Sequence, residues 1–171
     1  FNKEGTALAF LADRDTNQLD IKPYELFYWD NKMDTAQSIC KSDAAFIDSS
    51  WYVSPHYTPL FSEDGQSLYF GIAPHPVQED TTVIEDEKAE VEVWHYKDPL
   101  LYTQQKVREK REKERSYEVR YDLQKNSFTI LATEDLPEVN VNRKHTENYI
   151  IVYADKKYQQ TISWLGYALK D

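Results

Sequence analysis

At Phe61-Ser62-Glu63-Asp64-Gly65-Gln66-Ser67-Leu68-Tyr69-Phe70-Gly71, a short polar turn leads directly into a run of apolar and aromatic residues. Asp64 and Gly65 form a strong turn pair, because glycine adopts a positive φ without a Cβ clash. The run from 68 to 72 does not alternate with polar residues, which indicates a strand buried on both faces. The stretch therefore predicts a tight turn followed by a core strand.

The same unit occurs twice more in the chain. One copy lies sixty positions earlier and keeps the glycine and the final Phe in register, in the sequence Asn2-Lys3-Glu4-Gly5-Thr6-Ala7-Leu8-Ala9-Phe10-Leu11-Ala12. A third, degenerate copy has Asn148 near the turn and no glycine, in the sequence Lys144-His145-Thr146-Glu147-Asn148-Tyr149-Ile150-Ile151-Val152-Tyr153-Ala154. A strand-based repeat of this length is typical of propellers and other repeated-sheet proteins.

Two predicted hairpins also share one design, with strands at 24–30 and 35–40 and again at 117–122 and 127–131. Their first strands align as Tyr24, Glu25, Leu26 and Tyr28 on Tyr117, Glu118, Val119 and Tyr121. Repeated hairpins of this kind predict an array of small antiparallel sheets. The predicted fold is all-β, a partial β-propeller of about three blades across 1–171, with repeat units at roughly 1–45, 50–135 and 140–171.

Three further elements are predicted outside the hairpins. Residues 102–115 contain strong helix formers and neither Gly nor Pro, with six basic against three acidic side chains, which predicts a charged helix that faces solvent or, as the alternative, an extended ribbon between strands. This basic run is either a solvated surface or a recognition patch for an anion. Clean alternation at 91–96 predicts one strand, and the residues 161–164 are expected to begin another, which continues through 164–168.

Composition and charge limit the classes of partner. The chain has 171 residues, a formal charge of −10 and a pI near 4.9, which argues against a nucleic-acid partner because phosphate backbones require a basic surface. The sequence has no apolar run long enough to cross a bilayer. Because the chain starts at Phe1, we expect a piece of a longer protein, periplasmic or secreted if an upstream signal peptide was removed.

No catalytic, cofactor-binding or metal-binding residue is predicted. None of the four glycines flanks a serine as Gly-x-Ser-x-Gly requires. The glycine-rich loops that bind dinucleotides and phosphates are excluded for the same reason, because the glycines do not have the required spacing. The sole cysteine, Cys40, is interpreted as a packing residue at a strand end. The acidic segment 78–92 lacks the glycine of a calcium loop and is interpreted as a solvated loop, and the histidines form no local zinc motif: His56, His75, His95 and His145.

These repeats bear a resemblance to a known family. Ser62-Glu63-Asp64-Gly65-Gln66-Ser67-Leu68-Tyr69-Phe70 resembles the Ser-Pro-Asp-Gly-x-x-Leu-x-Phe blade signature of propellers in the prolyl oligopeptidase family, and similar blades occur in Tol-system propellers. The strand at 23–30 resembles the one that follows this signature. The segments 92–98, 104–105 and 117–123, with the basic run between them, are similar to large bacterial members of the family. Glu63 departs from the signature, which has proline at that position.

The resemblance implies a non-catalytic propeller that caps an α/β-hydrolase domain of the same parent chain and restricts the access of peptide substrates. The Ser-Asp-His triad of the family lies in the hydrolase domain, so no residue here is carried over as catalytic. In dipeptidyl-peptidase members, acidic propeller residues hold the amino terminus of the substrate, but the segment Glu79–Glu92 does not match that motif closely enough to assign this role to a residue. Two other hypotheses stay open, a stand-alone binding or scaffold propeller and an unrelated all-β enzyme.

Overall fold

The computed structural model describes residues 1–16, 21–77, 93, 95–140, 149–167 and 169–171. Within this part of the chain, strands dominate and form three antiparallel sheets. The strands, in chain order, are β1 Ala7–Asp13, β2 Tyr24–Asp30, β3 Gln37–Cys40, β4 Trp51–Val53, β5 Leu60–Phe61, β6 Ser67–Pro74, β7 Tyr117–Asp122, β8 Ser127–Ile130, β9 Glu138–Asn140 and β10 Ile151–Tyr153. The helices are α1 Tyr102–Lys113, a 3-10 helix Lys156–Thr161 and α2 Ile162–Leu165.

The middle sheet is the most complete, and β6 is its buried centre. Its strands lie in the order β4-β6-β7-β8. Strands β4 and β5 both pair with the same edge of β6, β4 near its end and β5 near its start. Seven of the eight residues of β6 are buried, so the strand packs on both faces as its continuous apolar run predicts. We call this sheet blade 2. The prediction of a core strand after the Asp64-Gly65 turn is confirmed.

The flanking sheets contain parts of the same arrangement. Blade 1 has the order β1-β2-β3, which matches β6-β7-β8, and blade 3 pairs β9 with β10 as β5 pairs with β6. Strands β1, β6 and β10 each follow one copy of the predicted turn sequence, and the turn predicted for the third copy, around Asn148, lies outside the described residues. The fold is therefore all-β and propeller-like, with one full and two partial blades among the described residues. The predicted fold class is confirmed.

The turns before β1 and β6 are alike in detail. Gly5 and Gly65 both have positive φ, 71° and 68°. In the first turn the Asn2 amide donates to the Ala7 carbonyl at 3.0 Å, and the Gly5 amide donates to the Asn2 carbonyl at 3.1 Å. Ser62 makes the corresponding bonds in the second turn, with Ser67 at 2.8 Å and Gly65 at 3.0 Å. Sequence similarity sixty positions apart thus corresponds to one repeated backbone geometry.

Replacing either turn glycine by alanine is expected to cost about 1–2 kcal/mol of unfolding free energy. An added Cβ would meet no atom within 4 Å at Gly5 or Gly65, so the cost comes from positive φ alone. The two costs should therefore agree within about 0.5 kcal/mol, and asparagine should recover part of each because it tolerates this conformation. Urea unfolding followed by circular dichroism measures them. Clearly unequal losses of unfolding free energy for the two alanine variants would contradict the equivalence of the turns.

The hairpin register corrects the alignment made from sequence. Ala7 pairs with Asp30 in blade 1, and Ser67 pairs with Asp122 in blade 2. Because Ala7 and Ser67 are equivalent, Asp30 corresponds to Asp122, and Leu26 corresponds to Glu118 rather than to Val119. The register is fixed at the turn, where the Asp30 side chain accepts the Lys32 backbone amide and the Asp122 side chain accepts those of Gln124 and Lys125.

The remaining elements include one confirmed prediction and two corrections. The charged helix is present as α1 and faces solvent, with no buried residue. Of the strand predicted at 91–96, the described residues Val93, His95 and Tyr96 are not in a strand, because the Asp98 side chain accepts the His95 amide at 2.8 Å and holds a turn. The other residues of that strand, and the acidic segment at 78–92, lie outside the described residues.

The strand predicted from 161 onward is wrong for residues 161–167, and residue 168 lies outside the described residues. Residues 162–165 form α2, and Gly166 ends the helix in the left-handed conformation at φ 74°, donating its amide to the Ile162 carbonyl at 2.8 Å. Alternating Thr, Ile, Ser and Trp resembles a strand, but a glycine that accepts positive φ favours a helix end at this position.

The core lies between blades 1 and 2. Leu26 and Cys40 from blade 1 pack in one buried cluster with Leu68, Phe70 and Val119 from blade 2. Aromatic rings extend this cluster on β8, where the centroid of the Phe128 ring lies 4.6 Å from Tyr121, 4.3 Å from Phe46 and 6.1 Å from Phe70. The two blades are therefore joined by shared apolar packing, to which both hairpins contribute.

Candidate functional site

The histidines do not form a site among the described residues. His56, His75 and His95 are exposed and belong to separate segments, and His145 lies outside the described residues. The His75 ring stacks on Tyr52 at 5.2 Å, and the His95 Nδ1 accepts the Lys97 amide at 3.2 Å. No group of three or more His, Cys, Asp or Glu side chains arranged for a metal ion occurs in the part of the chain described.

Cys40 is a core residue at the end of β3, as the sequence predicts. Its side chain is only 2% exposed and packs in the cluster between the blades. Burial raises the pKa of the Cys40 thiol to about 12, and the Asp43 carboxylate adds to the shift. Folding therefore favours the protonated thiol. Its contribution to stability is present below the ordinary thiol pKa and is lost as pH rises through the folded value.

We expect Cys40 to react with Ellman's reagent at pH 8 at least about a hundredfold more slowly in the native chain than in guanidinium chloride. The reason is that both access and thiolate formation require the core to open. The chain has a single cysteine, so one equivalent of chromophore per chain reports this site alone. Rapid stoichiometric labelling of the native protein would show that the thiol is accessible, contrary to this packing.

Helix α1 places charged side chains where a surface helix ordinarily places apolar ones. On α1, Arg108, Arg111 and Glu112 are spaced i, i+3 and i+4, the pattern of a single helix face, and Arg115 follows two residues after the helix ends at Lys113. This face is turned toward the sheets, because all four line a cleft of about 460 Å³ between α1 and the segments around β9 and the 3-10 helix. The apolar part of its lining includes Tyr117.

The chain reaches this cleft because of a close contact at Gly71. Ser116 follows Arg115 directly, and a Cβ placed on Gly71 would lie 2.9 Å from the Ser116 Cβ. The Ser116 and Ser54 hydroxyls are hydrogen-bonded at 2.6 Å, and the Ser54 amide donates to the Gly71 carbonyl at 2.9 Å. These contacts fix the point at which the segment from α1 rejoins blade 2, and so fix Arg115 at the cleft.

The helix side of the cleft carries a net positive charge, from three arginines and one glutamate. Arg115 donates two hydrogen bonds to Glu112, both at 2.6 Å, which lowers the pKa of the Glu112 carboxyl. Arg111 lies 3.9 Å from the same carboxylate, and Arg108 forms no hydrogen bond or ion pair with the described residues. Two guanidinium groups one turn apart thus keep most of their donors available.

The other side carries a net negative charge, from Glu134, Glu138 and Asp155 against Lys156. Glu138 is paired with Lys170, and the Asp155 Oδ1 accepts the Gln159 side-chain amide at 2.8 Å. Glu134 forms no hydrogen bond or ion pair with the described residues. Among those residues, no ion pair joins the helix side of the cleft to this side.

Comparison of the chain with models of protein families, with curated proteins and with solved structures finds no match. In the part of the chain described, every helix is too short or too polar to cross a membrane.

Sequence reasoning found one side of this cleft and missed the other. The basic run at 106–115 is visible as a local excess of Lys and Arg. Glu134, Glu138 and Asp155 are scattered in a chain with thirty acidic residues, so nothing in their spacing marks them. Only the packing of α1 beside β9 and the 3-10 helix brings the two charge types together.

Proposed function

We propose that this chain is a segment of the non-catalytic β-propeller of a serine peptidase of the prolyl oligopeptidase family. In this role it caps the α/β-hydrolase domain of the same parent chain and restricts the access of peptide substrates. The observation that carries the proposal is the repeated turn and hairpin of blades 1 and 2, in which Gly5 and Gly65 have the same geometry. A repeated blade of this design is what the family resemblance requires.

The signature residues of the second turn also have physical roles that fit the proposal. The Ser62 hydroxyl accepts the Ser67 amide at 2.9 Å and donates to the Asp64 carboxylate at 2.5 Å. The same carboxylate oxygen accepts the Gln66 amide at 3.1 Å. The serine, aspartate and glycine of the motif therefore form one hydrogen-bonded turn that directs β6 into the core.

Glu63, which stands where the family has proline, supports the same arrangement in another way. Its Oε1 atom forms an ion pair with the Nζ atom of Lys3 at 2.7 Å, and Lys3 is the residue at the corresponding position of the first turn. Both side chains are largely exposed, so the pair contributes little to stability. It does show that the two turns lie side by side, as equivalent loops of neighbouring blades do.

The proposal is tested on the full-length parent protein with a fluorophosphonate probe that labels activated serines. We expect one labelled serine outside residues 1–171, in a Gly-x-Ser-x-Gly sequence. In the same protein Phe70→Ala should raise the cleavage of long peptides relative to short ones, because it loosens the barrier, whereas the exposed Val107→Ala should not. The proposal would be contradicted if the parent chain had no such serine, or if the probe did not label the parent protein.

A stand-alone binding or scaffold propeller is the second candidate, favoured by the exposed apolar side chains of blade 3. Ile151 on β10 is 60% exposed, and nearby Tyr149 is 89% exposed. The equivalent of Ile151 in the turn-and-strand repeat is Leu68, which is fully buried. Such a surface fits a protein partner. A stable complex of a parent protein that has no hydrolase domain would favour this candidate.

A further inference from the structure

We propose that the cleft beside α1 binds a small zwitterion, a molecule with one carboxylate and one ammonium group. Free amino acids and short peptides with both ends free belong to this class. The inference rests on the cleft alone and holds whether or not the parent is a peptidase. Its volume of about 460 Å³ lies within the range of small-molecule sites.

The distribution of charge selects this class over a simple anion or cation. The helix side has three arginines and one glutamate, and the other side has three carboxylates and one lysine. A lone anion would be attracted by Arg108 and Arg111 but repelled by Glu134 and Asp155, and a lone cation would meet the reverse. A ligand with both charges is complementary to both sides at once.

The groups that would make contact are those that the fold leaves available. Arg115 is held by Glu112, and Glu138 is held by Lys170, so the lining residues Arg115, Glu112 and Glu138 already have partners. Arg108 and Arg111 offer guanidinium donors, which match a carboxylate in geometry. Glu134 offers an acceptor for an ammonium group. The structure thus assigns carboxylate recognition to α1 and ammonium recognition to the segment before β9.

Titration of the 171-residue chain with a series of ω-amino acids, from glycine to 6-aminohexanoate, tests the proposal. Chemical-shift changes would follow binding, with hexanoate and hexylamine as ligands of one charge. We expect the best zwitterion to bind at least about tenfold more tightly than either control, because each charged hydrogen bond is worth about that factor. Absence of binding by the whole series, or equal binding by hexanoate or hexylamine, would overturn the inference.

Matched variants locate the site. Arg108→Gln combined with Arg111→Gln should weaken binding of the best zwitterion by at least about tenfold. Lys110→Gln combined with Lys113→Gln has the same spacing and charge change but lies outside the cleft, and it should leave the affinity within about twofold. All four side chains lie on a helix with no buried residue, so both variants should fold. An equal loss of zwitterion affinity in both double variants would indicate general electrostatic attraction to the helix and would overturn the proposed site.

Glu134→Gln separates the two halves of the ligand. It should weaken binding of the zwitterion by at least about tenfold and should not weaken binding of hexanoate. The side chain forms no hydrogen bond or ion pair with the described residues, so the substitution removes a charge without breaking either kind of interaction there. If Glu134→Gln left zwitterion binding unchanged, the cleft would be an anion site and the proposal would be wrong.

Discussion

Phe70→Ala is expected to lower the free energy of unfolding by about 3–5 kcal/mol. Phe70 is fully buried on β6, pairs with Val119 and meets the Phe128 ring edge-on at 6.1 Å. Truncation removes the buried ring and leaves a cavity between two blades that cannot collapse without moving both. Urea unfolding followed by intrinsic fluorescence measures the loss, and Leu68→Ala, on the same strand, should cost about 2–5 kcal/mol.

Val107→Ala provides the matched control, because Val107 is 84% exposed and its loss should change stability by no more than about 0.5 kcal/mol. If Phe70→Ala does not fold, Phe70→Leu still tests the packing, with an expected cost of about 1 kcal/mol. A midpoint unchanged by either Phe70 substitution would show that β6 is not the centre of the core.

Gly71→Ala should destabilise the fold by about 1–3 kcal/mol through crowding. A Cβ at Gly71 would lie 2.5 Å from the Tyr57 Cβ and 2.9 Å from the Ser116 Cβ. Neither atom is the end of a flexible side chain, so the backbone itself must move. Because Ser116 follows Arg115, the same substitution should also weaken zwitterion binding in the cleft. Urea unfolding measures the first effect, and ligand titration measures the second.

A double-mutant cycle isolates the crowding at Gly71. Tyr57→Gly removes the nearest colliding atoms, so Gly71→Ala should cost less in that background than in the native chain. Additive costs would show that the close approach does not limit the residue at position 71. Gly65→Ala is a useful comparison, because its cost arises from positive φ in open space rather than from contact.

Sequence was sufficient wherever a local rule fixed the backbone. Asp64-Gly65 and the continuous apolar run predicted the turn and β6, and the recurrence at Gly5 predicted its copy. The absence of Gly and Pro together with strong helix formers predicted α1. In each of these stretches the local propensity and the final structure agree, so no tertiary contact had to be known in advance.

The failures have equally specific causes. Similar Tyr-Glu residues suggested one alignment of the hairpins, but Asp30 and Asp122 at the turns set the register one position away. Residues 161–168 were expected to form a strand, although Gly166 ends a helix there. The acidic side of the cleft was invisible, because Glu134 and Asp155 are brought together with Arg108 only by long-range packing.

Helix α1 lies in the connection between β6 and β7 of blade 2, and this position has a practical consequence. Residues 75–116 connect the end of β6 at Pro74 to the start of β7 at Tyr117, and Tyr117 is paired with Ile72 of β6. Departure and return therefore lie beside each other at the same end of a hairpin whose strands stay paired along 67–72. Such a junction accepts a foreign domain at little cost in chain entropy. A fluorescent protein grafted between β6 and β7 would make the blade an optical reporter.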